Sequence, residues 1–222
     1  MGVSLLNLTT LLVPLISLVV GSQGFATEFE DGTIDLLLTQ PVKLRYVCLG
    51  RILGQWIAIA ASLLVGFGGS GIVLSLMSSG NRVMLLLVNI IISLALALVF
   101  ITLGNLISVK SKNRIVALFS VLAFWFVMII LYDLILVQVL MLTTGGLTMT
   151  LLYGLLALNP ADLLRVLAIR LSQMKELFGP TREALNALPG FKGPILAIVG
   201  WLVWTVSAYL IVVRSLYKRN YS

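Results

Sequence analysis

The run VMLLLVNIIISLALALVFITLGNLISV (Val83–Val109) holds no charged side chain and shows no alternation of polar with apolar residues. A bilayer core about 30 Å thick is crossed by about 20 apolar residues in a helix, and lipid offers no partner to an exposed peptide group. The run is therefore read as a membrane-spanning helix that satisfies its own backbone. The same reading repeats outward. Upstream lie one span from about Leu5 to Phe25, which Pro14 is expected to kink, and another from about Val47 to Met77, followed by the turn SSGNR (Ser78–Arg82). Downstream, Ile115–Leu142 and Pro194–Leu216 complete five full transmembrane helices in a single domain over 1–222. Composition agrees: 60% of the 222 residues are hydrophobic and 10% charged, with mean hydropathy +1.12, whereas soluble domains carry roughly 25% charged residues. The fold class is all-α integral membrane protein.

A formal charge of +7 and a pI near 9.9 do not indicate nucleic acid, because the fifteen basic residues sit at the ends of apolar runs and form no patch interleaved with aromatic rings. The single cysteine, Cys48, excludes an internal disulfide, and the lack of histidine removes zinc, haem-His and Ser-His-Asp sites. No catalytic residue, metal site or cofactor is assigned. G-x-x-x-x-G-K-[ST] does not occur, so the chain is not read as an enzyme, and any ATP is hydrolysed by another polypeptide. Gly66-Phe67-Gly68-Gly69-Ser70-Gly71 does satisfy G-x-G-x-x-G, but inside a span with no preceding strand; close helix packing is its expected use, as for Gly50-x-x-x-Gly54. The seven methionines keep no helical spacing and are read as gap-fillers rather than a copper path.

Orientation follows from the basic residues. With the link between the first two spans inside, the cytoplasmic side carries nine (Lys43, Arg45, Arg51, Lys110, Lys112, Arg114, Arg214, Lys218, Arg219) against six outside, five of which lie in one long loop that the positive-inside rule discounts. The C-terminus is thus expected in the cytoplasm.

That first link, TEFEDGTIDLLLTQPVKLRYVCLGRILG (Thr27–Gly54), concentrates the early charge: Glu28, Glu30, Asp31 and Asp35, then Lys43, Arg45 and Arg51. Thr27 and Glu30 have capping-box spacing, so a short helix starts at Thr27 or Thr27 continues the first span. Gly32 stops it. Thr33 is a good N-cap for a second short helix in which Ile34, Leu37 and Leu38 form one apolar stripe and Asp35 suits the positive helix end. Pro41 opens a third, since a first-turn proline loses no hydrogen bond. The segment 27–46 is read as an amphipathic helix on the cytoplasmic surface, with Lys43, Arg45 and Arg51 at the lipid headgroups.

On the other side, region 143–193 contains the apolar run Leu147–Leu158, too short to cross and broken at Asn159-Pro160. It is read as a re-entrant or interfacial half-helix followed by an amphipathic helix from Ala161 to about Leu171. Asp162, Arg165 and Arg170 would serve a lid, a platform for an extracytoplasmic accessory protein, or an interfacial anchor. Asp133 is the one acid deep within a span, where insertion costs about 2.5–3.5 kcal/mol. It lines a translocation path, pairs across the bundle, or makes a packing hydrogen bond to Tyr132 or a nearby hydroxyl.

The pattern E-x-E-x-G-T-x-x-L-L-L-x-x-P, here Glu28, Glu30, Gly32, Thr33, Leu36 to Leu38 and Pro41, resembles the signature of exporter-type ABC transporter permeases. Gly104–Lys112, Trp125, Leu131–Leu134 and Leu158–Arg165 extend the resemblance to permeases of nitrous oxide reductase maturation, in order and over most of the chain. The resemblance implies a homodimer with cytoplasmic ABC ATPase subunits that dock on a coupling helix, here Glu28, Glu30, Gly32, Thr33, Ile34, Asp35, Leu37, Leu38 and Pro41. It implies movement of a sulfur-containing or related species for copper-site assembly. The rival functions are export of lipid, glycan or drug, and a non-transporting scaffold driven by an ATPase. Permeases of this kind have six spans; the one that would precede Leu5 is absent from this chain.

Overall fold

The computed structural model describes residues 2–34, 42–77, 81–142, 149–171 and 192–220. Helix α1 runs Gly2–Glu30, α2 Leu44–Met77 and α3 Asn81–Lys110. Helix α4 (Arg114–Trp125) passes through a π-helical turn (Phe126–Leu131) into α5 (Tyr132–Leu142); α6 is Met149–Leu158, α7 Pro160–Leu171 and α8 Lys192–Asn220. Five stretches among them are long and apolar enough to cross a membrane: Leu6–Glu30, Leu44–Gly69, Leu86–Lys110, Arg114–Val139 and Pro194–Arg219. The chain is an all-helical integral membrane protein.

Local chemistry sets the helix ends. The Thr27 hydroxyl donates to the Gln23 carbonyl at 2.7 Å and the Asp31 N–H to the Thr27 carbonyl at 2.9 Å, so Thr27 lies inside α1 and caps no new helix. Gly32, with φ +70°, then ends α1 in the left-handed conformation that glycine adopts without strain, and Thr33 and Ile34 are helical again. At the start of α4, Asn113 Oδ1 accepts the Val116 N–H at 2.8 Å.

Helix α3 is the centre of the bundle. Of its most apolar stretch 67% is buried, against 50% for α1 and 11–17% for the other three spans. Its closest neighbour is α1, because Gly21 and Gly104 bring the two backbones into contact. A Cβ on Gly21 would stand 2.5 Å from the Ile101 carbonyl oxygen, and one on Gly104 2.6 Å from that of Leu18. Helices in lipid gain little from apolar burial and associate through such close packing and through hydrogen bonds. Around the contact Leu18, Leu96, Phe100 and Ile101 are fully buried.

The tryptophans supply hydrogen bonds of the second kind. Each of the four donates its indole N–H to a backbone carbonyl of another helix: Trp56 to Leu94 and Trp201 to Ala95 at 2.9 Å, Trp125 to Leu11 and Trp204 to Ala157 at 3.1 Å. Helices α2, α4 and α8 are thereby stitched to α3, α1 and α6, and each indole proton finds an acceptor inside an apolar surround.

Two expectations need correction. Five glycines of α2 do not pack against another helix among the described residues: a Cβ on Gly50, Gly54, Gly66, Gly68 or Gly69 would meet nothing within 4 Å. Nor does α7 lie on the surface as an anchor, since Ala161, Leu163, Leu164, Val166, Leu167 and Ala168 are all buried against α3, α8 and their neighbours. The reason is shared: periodicity shows which residues are small or apolar but not which neighbour they meet. Gly21→Val should therefore destabilise the protein by about 1–3 kcal/mol through overpacking, while Gly66→Ala should be neutral or stabilising by up to about 1 kcal/mol through helix propensity. Thermal unfolding in detergent, compared for both variants, checks the contrast.

Candidate functional site: polar networks at the two ends of the bundle

At the basic end, α2 enters the membrane with Arg51 already two turns inside, where an isolated cation is costly. Its guanidinium finds Glu28 on α1, with Nη2 donating to Oε1, and lies 4.1 Å from the centroid of the Phe25 ring. Asn105 on α3 donates to Gln55 Oε1 at 2.7 Å and to the Ile101 carbonyl at 2.9 Å, and Gln55 donates to the Val20 carbonyl at 3.1 Å. Gly24 makes room for this network: a Cβ there would stand 3.0 Å from Asn105 Oδ1 and 3.3 Å from Arg51 Nη1. Three helices thus meet through one ion pair and two amides. Arg51 was expected at the headgroups and is instead internal, because Glu28, one helix away, supplies its counterion at that depth.

One turn further out, the Ser108 hydroxyl enters the ladder of α1. It donates to the Ser22 carbonyl at 2.7 Å and accepts the Ala26 N–H at 2.8 Å, the two groups that pair directly in an uninterrupted helix. A side chain inserted between them is one of the few physical causes of a helix bend. Beyond it, Glu30 Oε2 accepts the Arg114 N–H at 3.0 Å, which ties the end of α1 to the start of α4.

Of the residues read from sequence as the docking surface, Thr33 is exposed, and Gly32 supplies the turn. Ile34 is buried, not displayed: it packs with Phe25 of α1, Cys48 of α2, Val109 of α3 and Val212 and Leu216 of α8. Four helix ends offer it an apolar hole, which outcompetes any outward position. Asp35, Leu37, Leu38 and Pro41 lie outside the described residues.

At the opposite end, Asp133 is paired across the bundle. Arg165 Nη1 of α7 lies 3.0 Å from Asp133 Oδ2 and 3.2 Å from Asp162 Oδ1. The pair is set up by the elbow between α6 and α7. In the π turn the Tyr132 N–H goes to the Val127 carbonyl, and the Met128 carbonyl accepts Asn159 Nδ2 at 2.8 Å. Asn159 Oδ1 meanwhile accepts the Ala161 N–H at 2.9 Å and caps α7, with Pro160 in its first position. The Tyr132 hydroxyl donates to the Leu155 carbonyl. Burial pushes the Asp162 carboxyl up to about 7, with the Arg165 cation pulling it down and the Asp133 charge pushing it up.

The sequence has counterparts. The profile of the ABC-2 family transporter protein matches residues 4–220. The chain belongs to the ABC-2 permease family. Two relatives carry the name probable ABC transporter permease protein NosY. The one from Stutzerimonas stutzeri is 31% identical over 225 positions, covering 98% of this chain and 79% of that protein; the one from Pseudomonas aeruginosa is 36% identical over 168 positions, covering 74% and 61%.

In this ABC permease, sequence reasoning missed the partners rather than the residues. Arg51 could have been flagged by its depth in α2, which demands a counterion. Ser108 gave no such signal, because a small polar side chain in a span is more often bonded to its own helix, as Ser93, Thr102 and Thr205 are here.

Arg51→Met should cost about 3–5 kcal/mol, since it strands the Glu28 carboxylate in a mostly buried site, and Glu28→Gln with Arg51→Met should recover a large part of the loss; unfolding of the single and double variants in detergent measures this. Asp162 gives a pH signature. Its carboxyl titrates near 7 when folded and near the usual value of about 4 when unfolded, so between these values the folded chain binds more protons and stability falls as pH rises. Melting temperature from pH 4 to 8 should fall more in the wild type than in Asp162→Asn; equal slopes would show that Asp162 does not titrate in this window.

Proposed function

We propose that this permease couples ATP hydrolysis by a separate cytoplasmic ATPase subunit to movement of a substrate across the cell membrane, and that the ATPase docks on the short helix after Gly32. The observation that carries the proposal is the position of Ile34. A push on that helix passes through Ile34 into the cluster that joins the ends of α1, α2, α3 and α8. Helix α1 then leads from Glu30 into the membrane past the Ser108 insertion, where it can pivot. Helix packings that are bistable rather than continuously deformable turn such local shifts into changes of access.

In this reading the residues divide their work. Asp35, Leu37, Leu38 and Pro41 belong to the surface that meets the ATPase, with Thr33 beside them, and Gly32 sets the turn that leads into it. Glu28 and Glu30 fix the base of the segment to α2 and α4 through Arg51 and the Arg114 N–H. The positive-inside count supports a cytoplasmic location for this end and for the C-terminus. Helices α6 and α7 form a re-entrant pair on the extracytoplasmic side, and Asp133, part-exposed while paired to Arg165, lines the end of the path there. On this reading the surface beside it serves as a platform for an extracytoplasmic accessory protein. A second copy completes the assembly, supported by the low burial of α2, 11% over its most apolar stretch. The resemblance to permeases of nitrous oxide reductase maturation supports delivery of a sulfur-containing or related species for copper-site assembly.

Changing Glu30 and Asp35 together to lysine should weaken co-purification with the ATPase and its stimulation by about tenfold, equivalent to about 1.4 kcal/mol, while the permease stays folded and in the membrane. Unchanged co-purification and unchanged stimulation would overturn the docking proposal.

A further inference from the structure

The last turns of α3 and α8 end side by side, and between them and the link after α3 lies a cleft of about 510 Å³. Its walls carry Lys110, Lys112, Lys218 and Arg219, with the Ser215 hydroxyl among them. Arg219 is built into the wall. Its Nη1 donates to the Val109 and Ser111 carbonyls at 2.7 and 2.8 Å, and its guanidinium stacks 3.6 Å from the centroid of the Phe29 ring. That arrangement satisfies carbonyls at the α3 terminus and offsets the negative end of its dipole, worth about half a charge. The three lysines are left over: among the described residues no carboxylate pairs with Lys110, Lys112 or Lys218, whereas Arg51 has one such partner and Arg165 two.

We propose that this cleft binds the phosphate headgroup of an anionic phospholipid. Three uncompensated ammonium groups around a concavity of this volume call for an anion, and a phosphate accepts from several donors at once. Its place in the bundle selects a lipid over a free anion. The spans Leu86–Lys110 and Pro194–Arg219 both end here, so the cleft opens at headgroup depth. The spans that flank the cleft leave apolar side chains exposed, Leu210 and Ile211 on α8 and Ile115, Val116 and Phe119 on α4, the helix that follows the link, and acyl chains lie along such surfaces once the headgroup is seated. Basic pockets between membrane helices recognise such headgroups, each lysine near the surface contributing about fivefold in affinity. The inference does not depend on how the ATPase docks, since it rests on the α3 and α8 termini alone.

The test uses the intact permease in nanodiscs and spin-labelled phosphatidylglycerol, with spin-labelled phosphatidylcholine as the neutral comparison. The wild type should hold phosphatidylglycerol in preference to phosphatidylcholine. Lys110→Gln, Lys112→Gln and Lys218→Gln combined should remove that preference by up to about fivefold per lysine, and the matching triple change to arginine should keep it, which separates lost charge from lost fold. An unchanged preference in the glutamine variant overturns the proposal. Inorganic phosphate titrated into the detergent-solubilised protein supplies the second arm: lysine-dependent phosphate binding with no preference among lipids overturns the lipid assignment in favour of a soluble anion. Loss of ATPase co-purification in the glutamine variant, with lipid preference intact, overturns it in favour of a protein contact.

Discussion

The backbone contact between α1 and α3 at Gly21 and Gly104 is what the other interactions of the bundle presuppose. Lipid tails are as apolar as leucine, so two spans gain little by hiding leucines from them. What they gain comes from close approach and from polar groups that reach across. With the backbones touching at Gly104, Ser108 one turn later is close enough to enter the ladder of α1, and Asn105 is close enough to join the Arg51 network. A larger residue at either glycine would move these groups out of hydrogen-bonding range.

From that paired core, charge is handled in the same way at both ends. Arg51 with Glu28 and Arg165 with Asp133 each pair a cation on one helix with a carboxylate on another, and Asp162 joins the second pair from Arg165's own helix. Taking such charges out of water costs several kcal/mol each unless geometry and further hydrogen bonds repay it, which makes each pair sensitive to relative helix position. A departure from the plain helical ladder accompanies both: the Ser108 hydroxyl bonded to the Ser22 carbonyl and Ala26 N–H of α1 at one end, a π turn between α4 and α5 at the other. In the proposed coupling these are the places where a push could change the packing without exposing backbone to lipid.

The lysines between α3 and α8 follow a different rule. They have no carboxylate partner among the described residues and sit where two apolar spans end. Their counterion on this reading comes from the bilayer itself, so the membrane becomes part of the site rather than a surround.

The number of spans, their approximate bounds, the break at Asn159-Pro160 and the stop at Gly32 were all determined by the sequence, because each depends on local chemistry: apolar length against bilayer thickness, a missing N–H, a tolerated positive φ. The motif order also pointed to the right family. Tertiary structure alone decided the partners. It placed Arg51 against Glu28 rather than at a headgroup, turned Ile34 inward, packed α7 inside the bundle, and left five glycines of α2 open while using Gly21 and Gly104 for the tight crossing. A lone sequence cannot resolve these, because in lipid the deciding quantity is which helix stands opposite, and an apolar stripe or small residue reads the same whether it faces a helix or an acyl chain.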